Sequence, residues 1–202
     1  MHPLPPGSWF SIQNTPAYAF VCGFCGNRIA SDKGWPFHFG TPPQPGIHIH
    51  VCPHCRRPTF FEDRLQVPGV PFGDRVQHVP PEVGALYDEA RRCTADNAFT
   101  AAVLATRKLL MHIAVDQGAK PGDTFMAYIE YLAASGFVPP HGKGWVDHIR
   151  KKGNEANHEI VLMGQADAVD LINFTEMLLR FIYEFPKRVP VLPAAPTSTT
   201  GS

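Results

Sequence analysis

Two short cysteine pairs constrain this chain more than any other feature. Cys22-Gly23-Phe24-Cys25 and Cys52-Pro53-His54-Cys55 repeat one C-x2-C spacing, with 26 residues between them. Two intervening residues let a tight turn aim both thiolates at one point, and two such turns supply the four sulfurs that tetrahedral zinc takes in closed structural sites. Gly23, Gly26 and Pro53 suit the tight backbone. A strand before each pair and another after the second complete a zinc-ribbon reading. Two disulfides and a thioredoxin-like redox pair are the competing readings. The N-terminus MHPLPPGSWF has neither a basic nor an apolar leader region, so a cytosolic, reducing compartment is expected, where paired cysteines take metal. No βαβ pattern surrounds either pair, which disfavours the redox motif. Four thiolates leave no position for water, so the expected Zn2+ is structural and carries no catalysis. His54 is a competing ligand that four sulfurs make unnecessary. A ribbon of this size buries little core, so metal is expected to hold it folded.

The residues around the pairs differ in kind from those that follow. Residues 1–79 hold 12 of the 21 prolines and six of the ten histidines, and no helical periodicity of useful length. Tyr18–Val21, Ile47–Val51 and Thr59–Glu62 read as strands, and GTPPQPG at 40–46 reads as a loop. Strict alternation in Ile47-His48-Ile49-His50-Val51 puts the histidines on one face. Together with His38 they invite a second metal site, but an exposed strand face explains them without one. The ribbon half is rich in aromatics: Trp9, Phe10, Trp35, Phe37, Phe39, Phe60 and Phe61. With Arg56 and Arg57 they could meet bases or a partner protein. The plainer expectation makes them the core of the small module and its contact with the neighbouring unit.

From residue 80 the grammar is helical. Pro81 suits a first helical position, with Val83, Leu86, Tyr87 and Ala90 on one face. A second helix is expected after Asp96 as N-cap, ending at Gly118, with Phe99, Val103, Leu110 and Ile113 in its buried stripe. A third spans about Asp123 to Ser135, a fourth begins near Trp145, and the last runs from Gln165 to Glu184 with Pro186 closing it. Cys93 is expected to be a plain core thiol. The chain divides into a ribbon at 1–79, a helical unit at 80–186 and a flexible tail at 187–202. The longest apolar stretch, Phe99–Val115, is broken by Arg107, Lys108 and His112, so no membrane span is expected.

Formal net charge is +0 and the sequence pI is near 7.1. That balance lends no support to a chain that lives on nucleic acid, so any such site must be local. The densest polar run is Ile149-Arg150-Lys151-Lys152-Gly153-Asn154-Glu155-Ala156-Asn157-His158-Glu159. Read as a helix, it aligns Arg150, Asn154 and His158 along one stripe. Gly153 would cost that helix about 1 kcal/mol relative to Ala, which points to close packing of another backbone.

This run resembles the Arg, Gly-Asn and His signature of the DUF4145 family of unknown function. Tyr87-Asp88-Glu89-Ala90 with Cys93, Ala101–Leu110 and Ala166–Pro186 fit the same family. The resemblance covers about residues 82–188, and members often carry a Cys-pair ribbon in front. It implies an α+β chain, a small N-terminal β zinc ribbon followed by an antiparallel α-helical bundle similar to the HEPN superfamily. Many HEPN domains serve phage defence, toxin–antitoxin pairs and restriction. Active HEPN ribonucleases set an arginine four to six residues ahead of a histidine, across a dimer, and need no metal for cleavage.

Carried over, the histidine is His158. Arg150 lies seven intervening residues away, Lys152 has the right spacing but is not an arginine, and Asn154 fills the nearer polar position. In a ribonuclease, His158 would move the proton of the ribose hydroxyl while Arg150, with Lys152 or Arg107, steadied charge on the phosphate. In the structural alternative Asn154 and His158 buttress helix ends, and Arg107 pairs with Glu155 or Glu159. The expected role is a cytosolic binding or regulatory module in prokaryotic phage defence, restriction or RNA/DNA metabolism. A homodimer, RNA or a defence partner would be its contacts. The alternatives are a metal-independent endoribonuclease centred on His158, Arg150 and Asn154, and a nucleotide-binding sensor using the same cleft.

Overall fold

The computed structural model describes residues 4–37, 46–139, 142, 144–147, 149 and 162–188. Five strands form one antiparallel meander in sequence order: β1 (Gln13–Val21), β2 (Arg28–Pro36), β3 (Ile47–Val51), β4 (Pro58–Glu62) and β5 (Leu65–Val67). The three strands read from sequence are present. β1 also reaches back through Pro16, where its register with β2 shifts between Asn14 and Tyr18. β1 is an edge strand, which tolerates both a proline and a bulge. β5 is pinned by Gln66, whose Nε2 donates to the carbonyls of Val21 (2.8 Å) and Pro68 (3.1 Å).

The histidines of β3 do not sit on an exposed face, which corrects the sequence expectation. His50 is only 3% exposed, and His48 is half-buried. Tyr18 stacks on His50 with centroids 5.4 Å apart, and Phe61 lies 5.0 Å from His48. Alternation fixes that the two sets of residues face opposite ways, but the aromatics of β1 and β4 decide which side is covered. The ribbon's aromatics divide likewise. Of those singled out from sequence, Phe61 is buried, Trp35 and Phe60 are half-buried, and Trp9, Phe10 and Phe37 are exposed.

Four longer helices follow: α1 (Pro81–Ala95), α2 (Phe99–Asp116), α3 (Phe125–Ala134) and α4 (Gln165–Leu179), with helical residues also at 144–147 and 149. Val83, Tyr87 and Ala90 of α1 meet Val103, Leu110 and Ile113 of α2 and Ile172, Phe174 and Leu178 of α4 in one core. α1, α2 and α3 end alike, with a left-handed residue (Asn97, Gly118, Gly136) and a 6→1 bond such as Ala98 N–H to Cys93 O at 2.8 Å. Asp96 therefore closes α1 and does not cap α2, whose N-cap is Ala98. Pro186 also fails to end the last helix. A π-helical turn at Arg180–Glu184 widens the ladder, and Phe185–Arg188 continues as α-helix. The widened turn resets the register, so the proline sits at the start of a new turn, where its missing N–H costs least.

Between sheet and helices, residues 70–79 form a strap rather than a free linker. Arg91 on α1 donates from Nε to Phe72 O (2.9 Å) and from its guanidinium to Gly73 O (2.6 Å). Glu176 on α4 accepts the Asp74 N–H at 2.7 Å, and Glu184 accepts that of Gln77 at 3.2 Å. Glu184 is 1% exposed, with Arg180 at 3.5 Å and the Arg188 guanidinium against it. A buried carboxylate needs such partners, and here they also hold the strap. Among the described residues no helix is long and apolar enough to cross a membrane.

Candidate metal centre

Each knuckle is built from the end of one strand and the start of the next. In the first, Cys22 N–H donates to Asn27 O (3.0 Å) and Gly26 N–H to Cys22 O (2.8 Å). In the second, Cys52 N–H donates to Arg57 O (2.9 Å) and Arg56 N–H to Cys52 O (2.8 Å). The residue after each second cysteine is left-handed, Gly26 at φ 76° and Arg56 at φ 58°. Glycine takes that conformation freely, whereas Arg56 costs about 1 kcal/mol. Arg56 is braced by the N-terminal segment: its carbonyl accepts from Trp9 Nε1 at 2.6 Å, and its guanidinium donates to Gly7 O at 3.2 Å.

The two knuckles bring Cys22, Cys25, Cys52 and Cys55 together, their sulfurs all within 4.8 Å of one another. Cys22 Sγ lies 3.6 Å from Cys55 Sγ, and Cys25 Sγ lies 3.8 Å from Cys52 Sγ. All four are free thiols, and these separations are far beyond an S–S bond of ~2.0 Å. Sulfurs at the corners of a tetrahedron around an ion ~2.3 Å away would stand about 3.8 Å apart. The donor set thus fits a four-coordinate thiophilic ion and can hold one.

The surroundings favour thiolate over thiol at one corner and oppose it at others. Burial works to raise the Cys25 thiol, but the Asn27 backbone N–H, Cys22, the Asn27 side chain (3.4 Å) and Cys52 bring it down to about 7. Burial pushes Cys22 up, against N–H groups of Cys25 and Phe24, and pushes Cys55 up against that of Arg57. A bound cation reverses this penalty, since metal coordination deprotonates a thiol outright. His54 is exposed and stands outside the cluster.

Sequence reasoning missed the outer layer of this site. Asn27 and Arg57 occupy the same place in each knuckle, two residues past the second cysteine, and each donates its N–H to that sulfur. Arg57 also lies over Phe24, 5.0 Å from the ring centroid. No sequence signal marks Asn27 and Arg57, since Gly26-Asn27-Arg28 and Arg56-Arg57-Pro58 share no residue in register; the likeness lies in the backbone. The first knuckle is locked to the rest of the chain by close approach. A Cβ on Gly23 would run into the carbonyl oxygens of Pro68 and Gly69, and one on Gly69 into that of Ala95 at the end of α1.

Arg150, Lys152, Asn154, His158 and their neighbours Gly153, Glu155 and Glu159 lie outside the described residues, as do His38, Phe39 and residues 189–202. Arg107 is described. Its guanidinium lies over Phe125, 4.4 Å from the ring centroid, and burial lowers its pKa. Cys93 is half-buried against the helical core, and burial raises its thiol. Among the described residues, His48 and His50 gather no third ligand.

A five-stranded ribbon with a four-cysteine cluster, followed by a helical unit, defines the class of protein. Residues 88–195, just over half of the chain, match the family described as Domain of unknown function (DUF4145), and the chain belongs to that family. No curated protein and no solved structure matches it.

Proposed function

We propose that the four cysteines hold a structural Zn2+ and that the protein is a non-catalytic binding or regulatory module of the cytosol. Prokaryotic defence, restriction or RNA/DNA metabolism is its proposed setting, and a HEPN-like bundle its helical unit. The observation that carries this reading is the closed cluster: four sulfurs about a single centre, with N–H groups aimed at them and no water position left. A centre of that kind shapes a surface and does no chemistry. Zinc is favoured over other divalent ions because four thiolates in a tetrahedron match its softness and lack of geometric demand. The close junction at Gly23 and Gly69 supports a ribbon that acts together with the helices.

Elemental analysis of purified protein tests the metal. We expect one equivalent of zinc per chain, loss of most of it in Cys52→Ser, and four thiols released to a thiol reagent only after chelation. Protein purified under reducing conditions that folds without metal would overturn the reading.

A further inference from the structure

A cleft of about 380 Å³ opens where the first knuckle faces the strap and α1. Its lining carries three guanidinium groups, Arg28 from the start of β2, Arg75 from the strap and Arg91 from α1, together with the apolar Phe24, Val70 and Pro71. Arg91 is a fixed charge, its side chain 12% exposed and held by two carbonyls and Asp88 at 3.1 Å. Arg28 and Arg75 are exposed, and among the described residues neither enters an ion pair. Asp74, the acid that lines the cleft, is paired with Arg180 at 3.4 Å.

A zinc tetrathiolate would carry a formal charge of about −2 beside this cleft. Arg28 and Arg75 balance that charge, and Arg91 has Asp88 as its own counter-ion. What the cleft offers an anion is therefore directional: two exposed guanidinium forks outside any ion pair among the described residues. The guanidinium fork matches phosphate oxygens two at a time, and apolar side chains lining the same cleft suit the face of a base.

We infer that this cleft binds a phosphoester of nucleotide size, its phosphate on Arg28 and Arg75 and its base against Phe24, Val70 and Pro71. The inference rests on the ribbon being a metal-held binding surface. It names the ligand class and places the site at the junction of the two units. A free nucleotide and one residue of a single strand share this chemistry.

Binding of fluorescein-labelled oligouridylate to the zinc-loaded full chain, followed by anisotropy, tests the site, with unlabelled ATP and poly-glutamate as competitors. Arg28→Glu and Arg75→Glu should each weaken binding about tenfold, the worth of one charge-assisted hydrogen bond. Arg64→Glu, at the exposed β4–β5 turn away from the cleft, should leave it unchanged. Competition by ATP assigns the site to free nucleotides, and its absence assigns it to a strand; either supports the proposal. No binding of oligouridylate or ATP by the wild type, equal loss in Arg64→Glu, or competition by poly-glutamate as strong as by ATP would overturn it. Zinc content and melting temperature are read on every sample. A cleft that fails while zinc is retained leaves the metal reading standing, and a wild type without zinc breaks that reading instead.

Discussion

The ribbon and the helical unit solve the same problem with different means. The helices bury Tyr87, Leu110, Ile129, Ile172, Phe174 and Leu178 in one continuous core. The ribbon's buried cluster is Phe20 and Phe61 together with two of its own cysteines, Cys22 and Cys52. Its core and its metal centre share Cys22 and Cys52. A sheet that spends its interior on sulfur stands or falls with what those sulfurs hold, while the helices do not depend on it.

Chelation should break this contrast open with the largest effect. Structural zinc contributes ~10 kcal/mol or more to small domains, so stripping it should unfold the sheet and leave the helices folded. Hydrogen exchange would show protection lost over residues 13–67 and kept in α2 and α4. Loss of protection in both at once would mean that the halves are one cooperative unit. Leu110→Ala tests the other side. Leu110 is fully buried, and its truncation should cost the helical transition about 3 kcal/mol in urea with zinc content unchanged.

A smaller effect is expected at the junction. Gly69→Val places a side chain against the Ala95 carbonyl and should cost about 2 kcal/mol by overpacking. It should also widen the gap between the thermal transitions of ribbon and helices, seen as two calorimetric peaks moving apart.

The smallest is a pH effect confined to the ribbon. Burial lowers the pKa of His48; burial and the neighbouring His48 lower that of His50, against a raising bond at Ser31. Depressed histidines are neutral in both states above ~6.5. As pH falls through that value the unfolded chain takes up protons that the folded ribbon does not, so stability falls, and the loss levels off only below the folded pKa. Thermal melts of the zinc form from pH 7.5 downward should show the ribbon transition falling below ~6.5 while the helical one holds. His48→Phe should flatten that slope.

The parts legible in the sequence are those fixed by short-range chemistry. Paired cysteines, the alternation in β3 and the 3.6-residue stripe of α2 each carry their own signal. β2 does not: RIASDKGWP has three charges and a glycine, and it is a strand because β1 and β3 pair with it on either side. The inward histidines follow from what β1 and β4 bring to that face, which lies beyond any single strand. The strap was invisible for the same reason, since Asp74 and Glu176 stand 102 positions apart. Asp96 misled because an acid suits a helix N-terminus, whereas the left-handed Asn97 ends α1 there.

That strap bears on how such a chain can be reshuffled over evolutionary time. Recombination that exchanged the ribbon for another module would have to cut before Val70, because residues 70–79 carry N–H groups that Glu176 and Glu184 need. A cut placed later would leave the buried Glu184 carboxylate without the Gln77 N–H and bare a flank of α1. The strap travels with the helices as part of their inheritance, although no helical residue lies in it.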